Sequence, residues 1–332
     1  MNKKKLTYGR YMAVLCAAML ASVIIALCLG STPLTLGQVL QGLLRMDPAS
    51  VETSILWVVR LPQVAGSALA GCALGIGGLL LQTATGNALA GPNVIGVNAG
   101  AGFAMVVGLW LAPMAYGLQP LFCIAGAFLT ALVIVFVSDR VGGSKVTIVL
   151  AGVAVSALLN AAISALKLLN PDLALSYNAF SVGGVAGVQF ESLALPAVLT
   201  LTVVVAAWLL SPRLDLLCLG DSVASSLGVR VRPLRTVALL LASTAAAAAV
   251  SFAGLLGFVG LMVPHMARAL TGQGSLRRQI PLCALLGSLL VVLADLLGRV
   301  LFAPSQLPAG IITAVLGAPF FFVLLLHRRN RL

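Results

Sequence analysis

Charged side chains are scarce in this chain of 332 residues. Only 8% of its residues are Asp, Glu, Lys or Arg, whereas 61% are hydrophobic, and the mean hydropathy is +1.12. A soluble domain is roughly half apolar and a quarter charged, so the composition excludes a water-soluble globular fold. The apolar excess must face lipid. Because lipid offers the backbone no hydrogen-bond partners, the composition favours an all-α polytopic membrane protein.

Histidines and acidic residues are too few to build an enzyme active site. The chain has two histidines, His265 and His327, and 8 Asp and Glu, and no nucleophile, base and orienting group come together in the sequence. A phosphate-binding G-x-x-x-x-G-K-[ST] motif is also missing, because the stretch Gly142–Lys145 lacks its first glycine and its spacing. We therefore expect no enzymatic activity in this chain, and any ATP chemistry must come from another protein.

The shortage of carboxylates also weighs against the rival functional class, an ion-coupled secondary transporter. A proton-coupled carrier commonly needs carboxylates or histidines deep in the membrane. Only Asp295 is expected to be immersed, and it lies near the outer end of its segment. His265, which follows Pro264, is interpreted as a structural hydrogen-bonding residue and not as a metal ligand.

Paired cysteines are missing as well. The six cysteines are scattered singly, with no C-x-x-C pair and no neighbouring histidine. We therefore expect neither a disulfide framework nor a metal site, and we interpret the thiols as small hydrophobic side chains. They are Cys16, Cys28, Cys72, Cys123, Cys218 and Cys283.

Apolar segments of membrane-spanning length are abundant. The first follows a basic start, is too long for the apolar core of a signal peptide, and is interpreted as a retained helix. The eighth is short for a full crossing and is expected to be partly re-entrant or joined to its neighbour. The segments predict about ten transmembrane helices in a single domain, 1–332. They fall near residues 11–30, 61–81, 93–112, 119–138, 146–168, 192–210, 235–255, 257–270, 279–298 and 307–326.

Glycine is frequent within these segments, at 34 residues in the whole chain. Pairs spaced by four, such as Gly71 with Gly75, predict helices whose backbones approach closely. A faint echo between Leu150–Val153 and Pro308–Ile311, which open the fifth and tenth segments, suggests an inverted repeat. The outer connection 169–191 is expected to hold a short helix against the outer mouth of a pathway.

Basic residues cluster in short loops between the apolar segments. With the N-terminus inside, 16 of the 20 Lys and Arg lie on the cytoplasmic side, and only Arg45, Arg60, Lys167 and Arg299 lie outside. We therefore predict a multi-pass protein of the bacterial inner membrane with both termini in the cytoplasm. No basic face is interleaved with aromatic residues, so the net charge of +12 does not indicate nucleic-acid binding.

The longest polar stretch on the cytoplasmic side runs from Pro212 to Pro233. The pattern in it predicts a short amphipathic helix that docks into a groove of a partner protein, with a solvated linker as the alternative. The helical spacing is carried by Leu219, Val223, Ser226 and Leu227, around the pair Gly220–Asp221.

Several stretches in fixed order, spanning nearly the whole chain, carry a family resemblance. They are Val59–Pro62, Gly78–Gln82, Asn87–Ala90, Leu150–Ala157, Leu219–Val229, Gly257–Arg268, Ala294–Arg299, Leu307–Gly310 and Gly317–Pro319. With these residues the chain resembles the FecCD-type permease subunits of type II ABC importers, which carry iron-siderophore complexes, haem or vitamin B12.

The resemblance implies a ten-helix permease that pairs with a second copy or a related permease around a central path. It implies two ATP-binding subunits beneath, which hold the ATP and magnesium that this chain does not, and an extracytoplasmic solute-binding protein above. The residues that match the coupling helices inserted into the ATPase, within about 215–232, are Leu219, Gly220, Asp221, Val223, Ala224, Leu227 and Gly228.

The resemblance also assigns the outer basic residues. Arg60 and Arg299 match arginines that meet acidic residues of the binding protein, and Gln63 stands where the family usually has a second arginine. The alternative is that these arginines only anchor helix ends, with Asp295 one turn before Arg299 neutralising its charge.

Two further sets of residues are candidates for the path itself. Asn87 and Leu89 match the family's cytoplasmic gate, although Ala88 and Gly91 replace its usual proline and acidic residue, and a plain turn is the alternative. In the fifth segment the polar residues that share one helical face are expected to line the path or to make interhelical hydrogen bonds. These are Ser156, Asn160 and Ser164.

The substrate is not encoded in any motif. Family frequency favours an iron(III)-siderophore complex, with haem and cobalamin as alternatives, since the binding protein carries most of the specificity.

Overall fold

The computed structural model describes residues 2–30, 32–47, 50–92, 96–113, 116–141, 145–272 and 274–329. Every regular element in these ranges is helical, as the all-α prediction requires. The stretch 142–144 beside Lys145 and the first residues of the predicted segment 93–112 lie outside these ranges. The helices are α1 (Asn2–Cys28), α2 (Leu36–Leu43), α3 (Val51–Ser54), α4 (Leu61–Thr85), α5 (Val97–Leu111), α6 (Gln119–Arg140), α7 (Lys145–Leu169), α8 (Pro171–Val182), α9 (Phe190–Leu217), α10 (Asp221–Ser226), α11 (Val231–Ala253), α12 (Val259–Thr271), α13 (Leu276–Val300) and α14 (Ala309–Arg329).

Seven stretches in the described residues are long and apolar enough to cross a membrane, and two shorter apolar helices accompany them. The seven include α1, α6, α7, α9, α11 and α13, and the two shorter ones lie in α5 and α14. The predicted eighth segment is α12, whose 13 residues span about 20 Å at 1.5 Å per residue. The expectation that it is too short for a full crossing is therefore confirmed.

Two predicted boundaries were wrong. The second segment begins earlier than residue 61, because α3 continues through a π-helical turn, Ile55–Arg60, into α4 and forms one apolar stretch of 35 residues. The sixth segment does not stop at residue 210, since α9 runs on to Leu217. In both places polar residues that resembled a loop belong to the end of a helix.

The bundle has two ends that can be told apart by their contacts. At one end the Tyr8 hydroxyl of α1 donates to the Arg278 carbonyl at 3.2 Å, and the Leu276 amide of α13 donates to Asp215 of α9 at 2.7 Å. We call this the α10 end, because α9 leads there into α10. At the opposite end, the Arg60 end, α8 meets α14 through the Gly310 amide and the Gly183 carbonyl.

Helix α4 runs through the centre of the bundle, packed against α9, α11, α12 and α13. Its glycines allow this contact. A Cβ added at Gly75 would lie 2.6 Å from the Cys283 carbonyl oxygen, and one added at Gly71 or Gly78 would collide with the backbone of Gly287 or Gly260. The predicted close approach at Gly71 and Gly75 is present, and larger side chains there would push the helix backbones apart.

Helices α4 and α11 each pack against two further helices of the bundle. Helix α4 packs against α12 and α13, while α11, which runs in the opposite direction, packs against α5 and α6. An inverted repeat that pairs α4 with α11, and α7 with α14, stays a prediction. The short helix α12 begins at mid-depth, where Gly260 lies against Leu74 and Gly78 of α4.

The predicted short helix in the connection 169–191 is α8. The Asn170 side chain caps it by accepting a hydrogen bond from the Asp172 amide at 3.2 Å. Its C-terminal end joins the end of α11, because the Leu255 amide donates to the Phe180 carbonyl at 2.9 Å and the Gly184 amide donates to the Ala253 carbonyl at 2.8 Å. At the Arg60 end, α8 thus closes over the connection between α11 and α12.

Candidate functional site: the coupling helix and its ties

The range 215–232, predicted to hold the coupling helices, contains the short helix α10, Asp221–Ser226. The coupling role of α10 stays a prediction. The first residues of this range belong to α9, and its last two, Val231 and Arg232, open α11. Gly220 precedes α10 with φ of 99° and Gly228 follows it with φ of 81°. Because L side chains rarely adopt this backbone conformation, glycine is the residue that fits both turns.

The amphipathic pattern of α10 faces outward. Leu219, Val223 and Leu227 are 58%, 43% and 57% exposed, whereas Ala224 is fully buried against the bundle. Exposing three apolar side chains around one short helix to water is unfavourable. This arrangement suits a partner's groove better than a solvated linker.

Asp221, in the first turn of α10, binds two cations from other helices. The Arg235 Nη2 of α11 lies 2.6 Å from both carboxylate oxygens, and the Lys145 Nζ of α7 lies 3.3 Å from Oδ1. Arg235 also donates through Nε to the Ala84 carbonyl of α4 at 3.0 Å. Helix α10 is therefore tied to three helices of the bundle through one carboxylate.

The hydrogen bond from Arg235 lowers the pKa of Asp221 below its ordinary value, and the nearby positive charges of Arg235 and Lys145 act in the same direction against partial burial. Asp221 therefore stays ionised throughout the physiological pH range. The tie weakens only as acidification protonates the carboxylate through its lowered pKa.

A second carboxylate ties the end of α9 to the start of α13. Asp215 accepts a hydrogen bond from the Ser275 hydroxyl at 2.7 Å and another from the Leu276 amide at 2.7 Å. A carboxylate at the first turn of a helix satisfies amides that have no partner within the helix. The roles of Asp215, Arg235 and Lys145 could not be predicted from the sequence, since their partners are too far along the chain to form a readable pattern.

A polar cavity of about 540 Å³ opens beside these ties at the α10 end. It is bordered by the end of α4, the start of α13 and the segment leading into α10. Inside it the Arg268 guanidinium of α12 donates to the Gln82 side chain of α4. Polar contacts thus connect α12 to α4 at the same end where α10 protrudes.

The candidate docking residues at the Arg60 end are buried. Arg60, Gln63 and Arg299 are 3%, 2% and 7% exposed, and Asp295 is 1% exposed. The backbone of α1 and the segment after it occupy the two guanidinium groups. Their role in docking stays a prediction.

The contacts within this buried cluster favour the anchoring alternative. Arg60 donates to the Leu27 and Thr32 carbonyls, and Arg299 Nη1 donates to the Ala26 carbonyl at 3.3 Å. Arg299 Nε lies 3.1 Å from Asp295 Oδ2. The remaining Asp295 oxygen accepts from Gln63 at 2.9 Å and from Gln306 at 3.4 Å. The cluster joins the end of α1 to α4 and α13.

The candidate gate residues form a tight turn after α4. The Leu89 amide donates to Asn87 Oδ1 at 2.9 Å, and the Asn87 amide donates to the Thr85 hydroxyl at 3.3 Å. Gly86 begins the turn with φ of 61°. Leu89 borders an apolar cavity of about 220 Å³ that Phe258 also lines. The turn fits both the gate and the plain-turn interpretation, so gating stays a prediction.

The candidate pathway residues lie along α7. Ser156 and Ser164 donate to carbonyls of their own helix, Gly152 at 2.7 Å and Asn160 at 2.9 Å, and not to another helix. Ser156 is half-buried, whereas Asn160 and Ser164 are exposed. An exposed polar face is compatible with a water-filled path, and lining the path stays a prediction for these residues.

Metal ligation and disulfide formation find no support in the described ranges. They contain no group of three or more His, Cys, Asp or Glu that could hold a metal ion, and all six cysteines are free thiols. His265 packs edge-on against Phe320, with 6.2 Å between ring centroids.

Comparison with known proteins places the chain in one family. The FecCD transport family matches residues 18–327. The hemin transport system permease protein HmuU of Yersinia pestis is 36% identical, covering 83% of this chain and 84% of its own. The ferric enterobactin permease FepD of Escherichia coli is 36% identical, with 85% and 84% covered. The vitamin B12 import permease BtuC of Vibrio cholerae is 34% identical, with 85% and 86% covered.

A solved structure shares the fold. Described as an inward-facing conformation of a metal-chelate type ABC transporter, it superposes with a TM-score of 0.83 at 28% identity and covers 96% of this chain and 99% of its own. The chain therefore belongs to the FecCD transport family and is a multi-pass permease subunit of the ABC importers, not itself an enzyme.

Proposed function

We propose that this chain forms the translocation path of a binding-protein-dependent importer and converts closure of a separate ATPase into helix movement. The observation that carries the proposal is α10, whose exposed apolar residues protrude while Asp221 binds Arg235 and Lys145. A force applied to α10 reaches α11, α7 and, through Arg235, the end of α4. Since α4 lies at the centre of the bundle, this is the helix through which such a force spreads.

The assembly proposed for it contains two permeases, two ATP-binding subunits and an extracytoplasmic binding protein. The second permease is either another copy or a related chain. The α10 end faces the cytoplasm in this proposal, and the membrane is the bacterial inner membrane. Support comes from the family membership and from the excess of Lys and Arg assigned to that end.

The proposed substrate is an iron(III)-siderophore complex. Relatives named for ferric enterobactin and for achromobactin support this choice, and the relatives named for hemin and for vitamin B12 support haem and cobalamin as alternatives. An ion-coupled carrier is disfavoured, because the immersed carboxylate, Asp295, is held by Gln63, Arg299 and Gln306. Uptake of radiolabelled iron-siderophore, haem and cobalamin into proteoliposomes that contain the complete complex would identify the substrate.

The purified chain alone is expected to hydrolyse no ATP, whereas a separate ATPase co-purifies with it from native membranes. The reason is that the sequence has no phosphate-binding loop. The measurement is phosphate release before and after a wash that strips the partner. Activity that persists in the stripped chain, and survives removal of contaminants, would overturn the assignment.

The orientation can be tested with single cysteines and an impermeant maleimide in cells. Gly274→Cys, at the α10 end, and a cysteine added after Arg328 are expected to react only from the cytoplasm, and Met46→Cys, near Ser50, only from outside. A side chain at Gly274 meets no atom closer than 3.9 Å, and Met46 is 68% exposed, so both sites tolerate the change. Cys218 is exposed at the α10 end and must first become serine. The reverse labelling pattern would refute the coupling role of α10.

A further inference from the structure

A groove of about 450 Å³ lies between the last turns of α9 and the first turns of α11, beside the segment that connects α10 to α11. Leu210, Leu234 and Val237 supply apolar walls. Arg213 and Arg230 also line the groove, and its lining includes no acidic residue. The groove therefore combines apolar walls with two positive charges.

The two arginines of the groove have no counter-ion within the described part of the chain. Both are exposed, and neither forms an ion pair with a described carboxylate. Arg235 and Arg299 differ, because each binds an aspartate. The aspartates of these ion pairs thus bind other arginines, and the groove keeps its positive charge.

The side chains around the groove are typical of the depth of lipid headgroups. Arg213 is in the last turns of α9, and Trp208, one turn earlier, is 41% exposed with the Arg277 guanidinium 4.2 Å from its ring centroid. Tryptophan and arginine together are typical of a membrane–water interface. Toward the membrane centre the surface of α9 continues with Leu209 and Val205, which are 65% and 49% exposed. A molecule in the groove would therefore meet charge at one end and acyl chains at the other.

We propose that this groove binds one anionic phospholipid of the leaflet at the α10 end, with its phosphate held by Arg213 and Arg230 and an acyl chain against Leu210 and Val237. Basic pockets between transmembrane helices are suited to such headgroups. Because Arg230 belongs to the connection between α10 and α11, a bound lipid braces the C-terminal end of α10, whereas Asp221 holds its first turn. The inference rests on the membrane placement of the chain and not on the identity of the substrate.

The test is binding of defined lipids to the purified chain in detergent, measured by native mass spectrometry. Phosphatidylglycerol is expected to bind about tenfold more tightly than phosphatidylcholine, because two charge-assisted contacts favour the anionic headgroup. Arg213→Gln combined with Arg230→Gln is expected to abolish this preference. The matched control is Arg10→Gln with Arg140→Gln, which removes two exposed arginines from the same end and is expected to keep it.

A second variant and a second probe complete the experiment. Val237→Trp fills the apolar part of the groove without removing charge and is expected to weaken phosphatidylglycerol binding severalfold. This variant tests the groove even if the double arginine variant does not fold. Inorganic phosphate is expected to compete only weakly. Equal affinity for the two lipids, equal loss in the control variant, or phosphate binding as tight as that of the lipid would each overturn the proposal.

Discussion

Replacing Asp295 by alanine is expected to lower the free energy of unfolding by about 3–5 kcal/mol, because it leaves the Arg299 guanidinium buried without its carboxylate. Arg299 is 7% exposed and Asp295 is 1% exposed, so water cannot replace the missing partner in the folded chain. Gln63 and Gln306 would also lose the oxygen to which they donate. The measurement is the thermal unfolding midpoint in detergent, followed by tryptophan fluorescence or by loss of the monodisperse size-exclusion peak.

The matched control for this variant is Glu191→Ala. Glu191 is an exposed carboxylate in the first turn of α9 at the same end of the bundle, and exposed substitutions usually change stability by less than about 0.5 kcal/mol. An Asp295→Ala protein that melts together with the wild-type protein would show that the buried cluster does not anchor α1 to α13.

Paired substitutions in the same cluster distinguish an anchoring role of Arg299 from a docking role. Arg299→Gln alone is expected to destabilise the chain, and Asp295→Asn added to it is expected to restore part of the loss, because the pair becomes neutral. If Arg299 instead docks an acidic binding protein directly, both variants would stay equally stable. Both would then bind the binding protein less tightly, and the difference would shrink as salt rises.

The transmembrane spans could be predicted from the sequence because each needs a long apolar run, which is local information. The end of α9 could not be predicted in this way. Pro212, Arg213 and Asp215 resemble a loop, but polar residues continue a helix once it has left the lipid. Asp215 is then held in place by Ser275 and Leu276, which are about sixty positions further along the chain.

The candidate sites show the same division between local and distant information. The helical spacing around Val223 and the glycines that flank α10 are local, and the short helix they predict is present. The burial of Arg60 depends on the carbonyls of Leu27 and Thr32, which lie 33 and 28 positions earlier in the chain, and no periodic pattern connects them to it. An arginine at the end of an apolar segment therefore has the same sequence pattern whether its side chain faces water or is buried inside the bundle.

Replacing Asp221 by alanine is expected to lower the amount of solute imported per ATP hydrolysed about threefold to tenfold while leaving ATP hydrolysis in place. Hydrogen bonds to charged groups stabilise a folded structure by about 1.5–3 kcal/mol. Solvent weakens this interaction at Asp221, whose side chain is 48% exposed, so we expect a contribution at or below the lower end of this range. Without the carboxylate, α10 keeps its exposed apolar residues for the ATPase but loses its ties to Arg235 and Lys145. The measurement is uptake against phosphate release in proteoliposomes that contain the complete complex.

Ser222→Ala is the matched control for Asp221→Ala, because Ser222 is an exposed neighbour on the same short helix, and its coupling ratio is expected to stay unchanged. Asp221→Glu keeps the charge and is expected to recover most of the ratio, whereas Asp221→Asn is not. Since the pKa of Asp221 is lowered by Arg235, the wild-type ratio should carry no pH dependence from this group near neutrality, and the contribution should disappear only on acidification through that lowered pKa. A coupling ratio that survives Asp221→Ala, in a complex that still assembles and melts normally, would show that movement of α10 reaches α4 by packing and that the ion pair is dispensable.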